Sequence, residues 1–245
     1  MSQEQLAGMQ PQVYRDPRPE AYFTRFHERS RTREPDAVYE AVRIITSVYG
    51  WTFFRARGED AHKVPAAGPA IIAPNHFSFM DHFFIGAFIR RRARFMAKSQ
   101  LFRPPMQWVY THGGVFPVRR GYADEEAFAT AHAQLARGAT VVMYAEGGRS
   151  RSATLSERVR PGIGRLALES GAPVVPTAIL GSSHVRNWRR GQFPKVIVKY
   201  GDPVRWERVD DPTRDQQQEV ANQIFTEIRA LYDGLARPRG RAALG

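Results

Sequence analysis

The sequence predicts an α/β fold of one domain, a mostly parallel or mixed sheet flanked by helices and preceded by an amphipathic helix. Short Val- and Ile-rich runs alternate with segments of helical period from residue 70 to residue 235. Turn residues bound these runs, and no internal repeat or second domain interrupts the series. With 245 residues and 42% hydrophobic residues, the chain is long enough to bury one sizeable core without staples.

Residues 1–35 are polar, charged and proline-containing, and read as a mobile or loosely packed segment. The pattern changes at Asp36, which follows Pro35 and can cap a helix running to about Phe54. Val38, Val42, Ile45, Val48, Tyr49, Trp51, Phe53 and Phe54 recur near helical spacing, with Arg43, Arg55 and Arg57 among them. This amphipathic stretch, 36–57, either packs on the core as an ordinary helix or lies on a membrane surface. The main domain is expected over 58–235. Ala70–Ala73, Arg94–Ala97, Val115–Val118, Thr140–Ala145, Val174–Leu180 and Lys195–Tyr200 read as strands. Asp81–Arg91, Ala123–Arg137, Pro161–Ser170 and Pro212–Leu235 read as helices; Asp124, Glu125 and Glu126 suit a first turn and Gly138 an end. The tail 236–245 is basic and reads as disordered.

Lys and Arg number 36 against 24 Asp and Glu, a formal charge of +12. The sequence pI is near 10.5. Such an excess points to nucleic acid, an anionic membrane surface or phosphorylated substrates. Arg outnumbers Lys, which suits fork-like phosphate recognition, although a GC-rich genome produces the same bias. The absence of cysteine removes disulfides, zinc–thiolate sites, iron–sulfur clusters and a cysteine nucleophile. No apolar run approaches the roughly 18–20 residues that span a bilayer. The first residues lack a basic region followed by an apolar one, as a signal peptide requires. The expected location is the cytoplasm, peripheral on the inner face of the membrane.

Strand Ala70–Ala73 leads into Pro74, Asn75 and His76, with Asp81 five residues after the histidine. Sites in α/β sheets form where strands open into loops. A neutral imidazole can take a proton from a hydroxyl near neutral pH, and a carboxylate on its other nitrogen would fix the tautomer. In an unbroken helix five residues turn about 500°, leaving the two side chains some 140° apart. His76 and Asp81 can therefore meet only across a turn. His82 competes as a partner, but its helical stretch makes it structural. Two further loops add cations: Gly113–Gly121 carries Arg119 and Arg120, and Tyr144–Ser152 carries Glu146, Gly147, Gly148, Arg149, Ser150 and Arg151. Paired glycines let backbone N–H groups approach an anion, and Arg can grip a phosphate with two bonds.

In this order the segments resemble the glycerolipid acyltransferase family, which includes lysophosphatidic acid and glycerol-3-phosphate acyltransferases. The family's Asn-His-x4-Asp motif matches Asn75, His76 and Asp81. Its apolar strand ending in Arg matches Phe116–Arg120, and its Glu-Gly-Thr-Arg-Ser matches Glu146–Ser150 with Gly148 in place of Thr. Its Val-Pro strand matches Val175, Pro176 and Ile179. The resemblance spans about residues 50–205. It implies acyl transfer from acyl-CoA or acyl-carrier protein to a glycerol hydroxyl, without metal, cofactor or covalent intermediate.

On that resemblance His76 is the base and Asp81 orients it. Asn75, Arg120, Glu146, Gly147, Gly148, Arg149 and Ser150 bind substrate, with Arg120 and Arg149 on the acceptor phosphate. Phe77, Phe79, Phe83 and Phe84 either line an acyl groove or pack in the core. Gly148, Arg151 and the pair Arg119–Arg120 lean toward a glycerol-3-phosphate acceptor, whereas the short chain suits 1-acylglycerol-3-phosphate, which ranks first; another lysophospholipid is a third acceptor the resemblance allows. Two other classes compete. The clusters Arg90–Arg92, Arg149–Arg151 and Arg186–Arg190 would suit a nucleic-acid-binding protein, but no binding motif accompanies them, and no nucleic-acid partner is expected. A membrane scaffold without catalysis would show a degenerate His or Asp, and both are intact.

Overall fold

Adjacent residues of the central strands bury in opposite layers. Ile71, Val141 and Val174 join one apolar cluster, while Ile72, Val142 and Val175 join the other. This is the period-two geometry of a sheet covered on both faces. The computed structural model describes residues 15–122, 124–150, 154–157, 159–185 and 191–237. Arg151, Arg186–Arg190 and most of the basic tail lie outside the described residues.

Helix α1 is Ala21–Thr32 and α2 is Ala37–Phe54. Strand β1 is Arg57–Glu59 and β2 is Ala70–Pro74; α3, Asp81–Phe88, follows. Next come β3, Ala93–Lys98; α4, Met106–His112; and β4, Val115–Val118. Helix α5 is Glu125–Ala136, β5 is Thr140–Val142, α6 is Gly162–Ser170 and β6 is Val174–Leu180. The series ends with β7, Ile197–Tyr200, and α7, Arg214–Ala236. The sheet order is β1-β7-β6-β2-β5-β3-β4. Every pairing is parallel except β6 with β7, so the sheet is mixed, within the expected class.

The reversal at β7 sets where α2 ends. Leu180, the last residue of β6, pairs with Ile197, and Ile197 pairs with Arg57. Strand β1 therefore begins at the edge where β2 to β6 finish, and α2 delivers its C-terminal turn to that same carboxyl edge. Helices α2 and α3 cover one face through Tyr39, Phe54, Phe84 and Ile85. Helices α5, α6 and α7 cover the other through Leu135, Leu166, Ile224 and Ile228. Helices α6 and α7 cross closely at Gly164, where a Cβ would lie 1.9 Å from the Gln217 carbonyl oxygen. Asp36 caps α2 as expected, accepting from the Val38 N–H; Asp124, expected inside a first turn, is the cap of α5 and accepts from the Ala127 N–H, and Thr213 with Gln216 forms a capping box on α7.

Two differences from expectation have physical reasons. Residues 1–35 were expected to be mobile or loosely packed; residues 1–14 lie outside the described residues, but Ala21–Thr32 is a packed helix whose Phe23 and Phe26 cluster with Phe102. Its buried stripe is Phe23, Phe26, His27 and Ser30, a helical spacing in which half the positions are polar and so escape a purely apolar pattern. His27 bonds Thr130 Oγ1 at 2.9 Å, and burial, helped by Arg31, pushes the imidazole down to about 4. Strand β1 reads Arg-Gly-Glu and has no apolar residue at all; it is a strand only because β7 pairs with it.

Two arginines of the Arg90–Arg92 cluster are absorbed by the fold. Arg91 bonds the carbonyls of Pro65, Gly68 and Gly138, and Arg92 bonds Glu40 and the Pro35 carbonyl. In the Arg90–Arg92 cluster these two side chains tie loops together rather than presenting a surface to nucleic acid.

Candidate active site

Strand β2 ends at Pro74, and the turn that follows delivers His76 and Asp81 to each other. His76 Nδ1 lies 2.8 Å from Asp81 Oδ2. The same oxygen accepts the backbone N–H groups of Phe77 and Ser78, each at 2.8 Å, which wraps the turn around one carboxylate atom. An oxygen already accepting from two amides accepts from the ring as well, so Nδ1 carries the proton and Nε2 is the free base. Burial lowers the His76 pKa below its usual value against the upward pull of Asp81, with smaller downward effects from Arg149 and Arg120. The imidazole is thus held neutral.

The His76 backbone is clamped from the third motif. Its N–H donates to Glu146 Oε1 at 3.0 Å, and its carbonyl accepts from the Ser150 N–H at 2.8 Å. Glu146 Oε2 accepts from the Ser156 N–H at 3.2 Å, which makes the carboxylate a bridge between the histidine turn and the loop after β5. Burial is the main reason that Glu146 is pushed up to about 7. Gly147 sits at φ 65, and its N–H donates to the Tyr144 carbonyl at 3.0 Å. That glycine serves the turn; its amide is spent on the protein rather than offered to an anion. Ser150 likewise uses its N–H on His76 and its hydroxyl on the Thr154 carbonyl.

Arg120, Glu146, Gly147, Gly148, Arg149 and Ser150 line one cavity of about 460 Å³, together with Thr154–Glu157 and Arg160. His76 is not among its walls but adjoins them through Glu146 and Ser150. Arg120, mainly through burial and then through Arg149, is held below the usual guanidinium range. Two expected residues lie elsewhere. Asn75 is fully buried: its amide group donates to the Ile179 carbonyl at 3.1 Å and accepts from the Ile179 N–H at 2.7 Å. It extends the β2–β6 ladder with a side chain and positions His76; it does not reach substrate space. Arg119 turns away to Glu20 and stacks on Tyr122 at 4.3 Å, so of the arginine pair only Arg120 faces the cavity. Phe77 and Phe84 are core residues, Phe83 packs against the core, and Phe79 is 52% exposed.

Sequence reasoning missed two residues. The Tyr144 ring stacks on His76 with centroids 3.9 Å apart and an interplanar angle of 23°, which holds the imidazole plane. Nothing in its strand-like surroundings separates it from an ordinary core tyrosine. Lys98, at the end of β3, pairs in register with Val118, two residues before Arg120; it is not among the cavity walls, but burial, Arg149 and Arg120 lower its pKa, as a third cation near them would have it. Its position at the carboxyl end of a strand was the available signal. His82 is the structural residue expected: its ring lies against Phe83 and Phe95, and burial pushes it down to about 4.

A doubly covered α/β sheet that holds a neutral imidazole beside an arginine-lined cavity is an arrangement able to take a proton from a hydroxyl and to hold an anion. A family model described as Acyltransferase matches residues 55–180, just over half of the chain, and the chain belongs to that family. It is similar to the 1-acyl-sn-glycerophosphate (LPA) acyltransferase PlsC of Thermotoga maritima. Identity is 22% and the TM-score 0.63, over 89% of this chain and 90% of that one; at this identity the likeness is one of fold.

Proposed function

We propose that this acyltransferase moves a fatty acyl group from acyl-CoA or acyl-carrier protein to the free hydroxyl of 1-acylglycerol-3-phosphate. The observation that carries the reading is the neutral His76, oriented by Asp81, next to a cavity that gathers Arg120 and Arg149. His76 Nε2 takes the hydroxyl proton as the oxygen attacks the thioester carbonyl. Collapse of the tetrahedral intermediate breaks the carbon–sulfur bond, and the imidazolium returns the proton to the leaving thiolate. The arginines and Lys98 hold the acceptor phosphate. The Arg119–Arg120 pair does not favour glycerol-3-phosphate, because Arg119 is engaged elsewhere. With purified protein and acyl-CoA, 1-acylglycerol-3-phosphate should outpace glycerol-3-phosphate and lysophosphatidylethanolamine. Arg120→Ala and Arg149→Ala should each raise its KM by roughly 10–100-fold, the worth of one charge-assisted contact. Preference for lysophosphatidylethanolamine would overturn the assignment.

The same reading puts the enzyme at the inner face of a membrane. No helix among the described residues is long and apolar enough to cross one. Helix α2 instead turns its apolar side outward: Ile45 is 68% and Trp51 50% exposed, with Ile44, Val48 and Phe53 beside them. Its C-terminal turn and Phe79 lie at the carboxyl edge with His76, where acyl chains would arrive from a lipid surface. The double substitution Ile45→Glu/Trp51→Glu should abolish flotation with anionic liposomes and leave thermal stability unchanged, since both side chains are exposed. Undiminished flotation would remove α2 as the contact.

A further inference from the structure

Residues 15–22, ahead of α1 and in its first turn, form a strap across the loops that carry two of the three clustered cations. Asp16 is 1% exposed and accepts from Ser99 Oγ at 2.8 Å. It also pairs with Arg18, at 2.9 Å from Nε and 2.7 Å from Nη2, and this pairing lowers its pKa to about 2. Arg18 then donates to the carbonyls of Ser99 and Phe102, at 2.7 and 2.5 Å. Ser99 is the residue after Lys98. On the neighbouring loop, Arg119 pairs with Glu20 at 3.3 Å and donates to the Arg18 carbonyl at 3.5 Å, and the Tyr122 hydroxyl donates to the Asp16 carbonyl at 3.4 Å. Arg119 is the residue before Arg120.

Lys98 pairs in register with Val118, two residues before Arg120, and Arg120 and Arg149 line one cavity, so three like charges sit on neighbouring strand ends; burial lowers the pKa of Lys98 and of Arg120. Like charges brought together where water is partly excluded disfavour one another. The strap holds the Ser99 backbone next to Lys98 and the Arg119 side chain next to Arg120. We infer that residues 15–22 set the spacing of Lys98 and Arg120 for phosphate, with Asp16 and Arg18 as positioning residues for acceptor binding. This rests on the phosphate role of those cations.

The test uses the full chain. Arg18→Ala should raise the KM for 1-acylglycerol-3-phosphate and the inhibition constant of inorganic phosphate about tenfold each, with kcat within about twofold, since loss of positioning weakens contacts without touching the base. Arg18→Lys keeps the charge but not the forked grip on two carbonyls, and should give an intermediate rise; it serves if the alanine variant fails to fold. Placed in an Arg120→Ala background, Arg18→Ala should still raise KM, but by less than in the native chain, because only the Lys98 contact is left for it to disturb. If Arg120→Ala raises KM and the folded Arg18 variants do not, the strap has no such role. If Arg18→Ala lowers kcat and leaves both phosphate readouts unchanged, its effect is on the fold alone and the inference fails. If Arg120→Ala itself leaves KM unchanged, the phosphate reading is what falls.

Discussion

Replacing His76 with alanine should lower kcat by roughly two to four orders of magnitude, the usual contribution of a positioned general base. Acceptor binding should change little, because the cavity walls are built by Arg120, Arg149 and the loop after β5 rather than by the imidazole. Acyl transfer with labelled acyl-CoA measures both quantities, and full retained activity would sink the assignment of the base. The same residue governs the acid side of the pH profile. Protonation removes the base, so kcat/KM falls as pH falls. Burial holds the His76 pKa below its usual 6.5, which puts its limb below that pH. Glu146, at about 7, protonates first and weakens its grip on the His76 and Ser156 N–H groups, so a shallower decline should precede the main one. In Glu146→Gln that early decline should disappear while the lower limb remains.

The second large effect belongs to Asp81, and two substitutions divide its roles. Asp81→Asn retains an oxygen that can accept from Phe77, Ser78 and the ring, but it loses the charge that stabilises the imidazolium. A fall in kcat on the order of 10²–10⁴ is expected, with the fold largely kept. Asp81→Ala also leaves the buried Phe77 and Ser78 N–H groups without their acceptor, and each costs about 1–3 kcal/mol. It should therefore lose activity and several degrees of thermal stability together. Equal melting temperatures for the two variants would mean that the turn does not depend on this carboxylate. The buried Asp81 Oδ1 has no hydrogen-bond partner among the described residues, so it adds no stabilising bond that either variant could lose.

Much of the site was legible because it is local. The five-residue spacing of His76 and Asp81 excluded a continuous helix, and a strand end followed by a helix start is the turn that the spacing demanded. The Glu146–Ser150 loop was legible as a basic, glycine-rich turn after a strand. What its side chains touch was not. Glu146 reaches back 70 residues to the His76 N–H, and Asn75 reaches forward 104 residues to Ile179. Asn75 was expected to bind substrate through the family motif it shares with His76 and Asp81; its burial against β6 depends on the strand order, which no local pattern contains. Lys98 became visible as a third cation only when β3 and β4 paired and placed it beside the Arg120 loop.

The sequence by itself determined the alternation of strands and helices, the cap at Asp36, and a His–Asp pair that must meet across a turn. Those are properties of contiguous residues, set by backbone period and by reach along the chain. The tertiary structure decided which side of α2 faces outward, which arginines are absorbed by carbonyls, and that polar residues 15–22 form a strap rather than a loose end. Each of these depends on groups far apart in sequence that share one desolvated place, where a charge or a donor must find a partner, and packing alone chooses that partner.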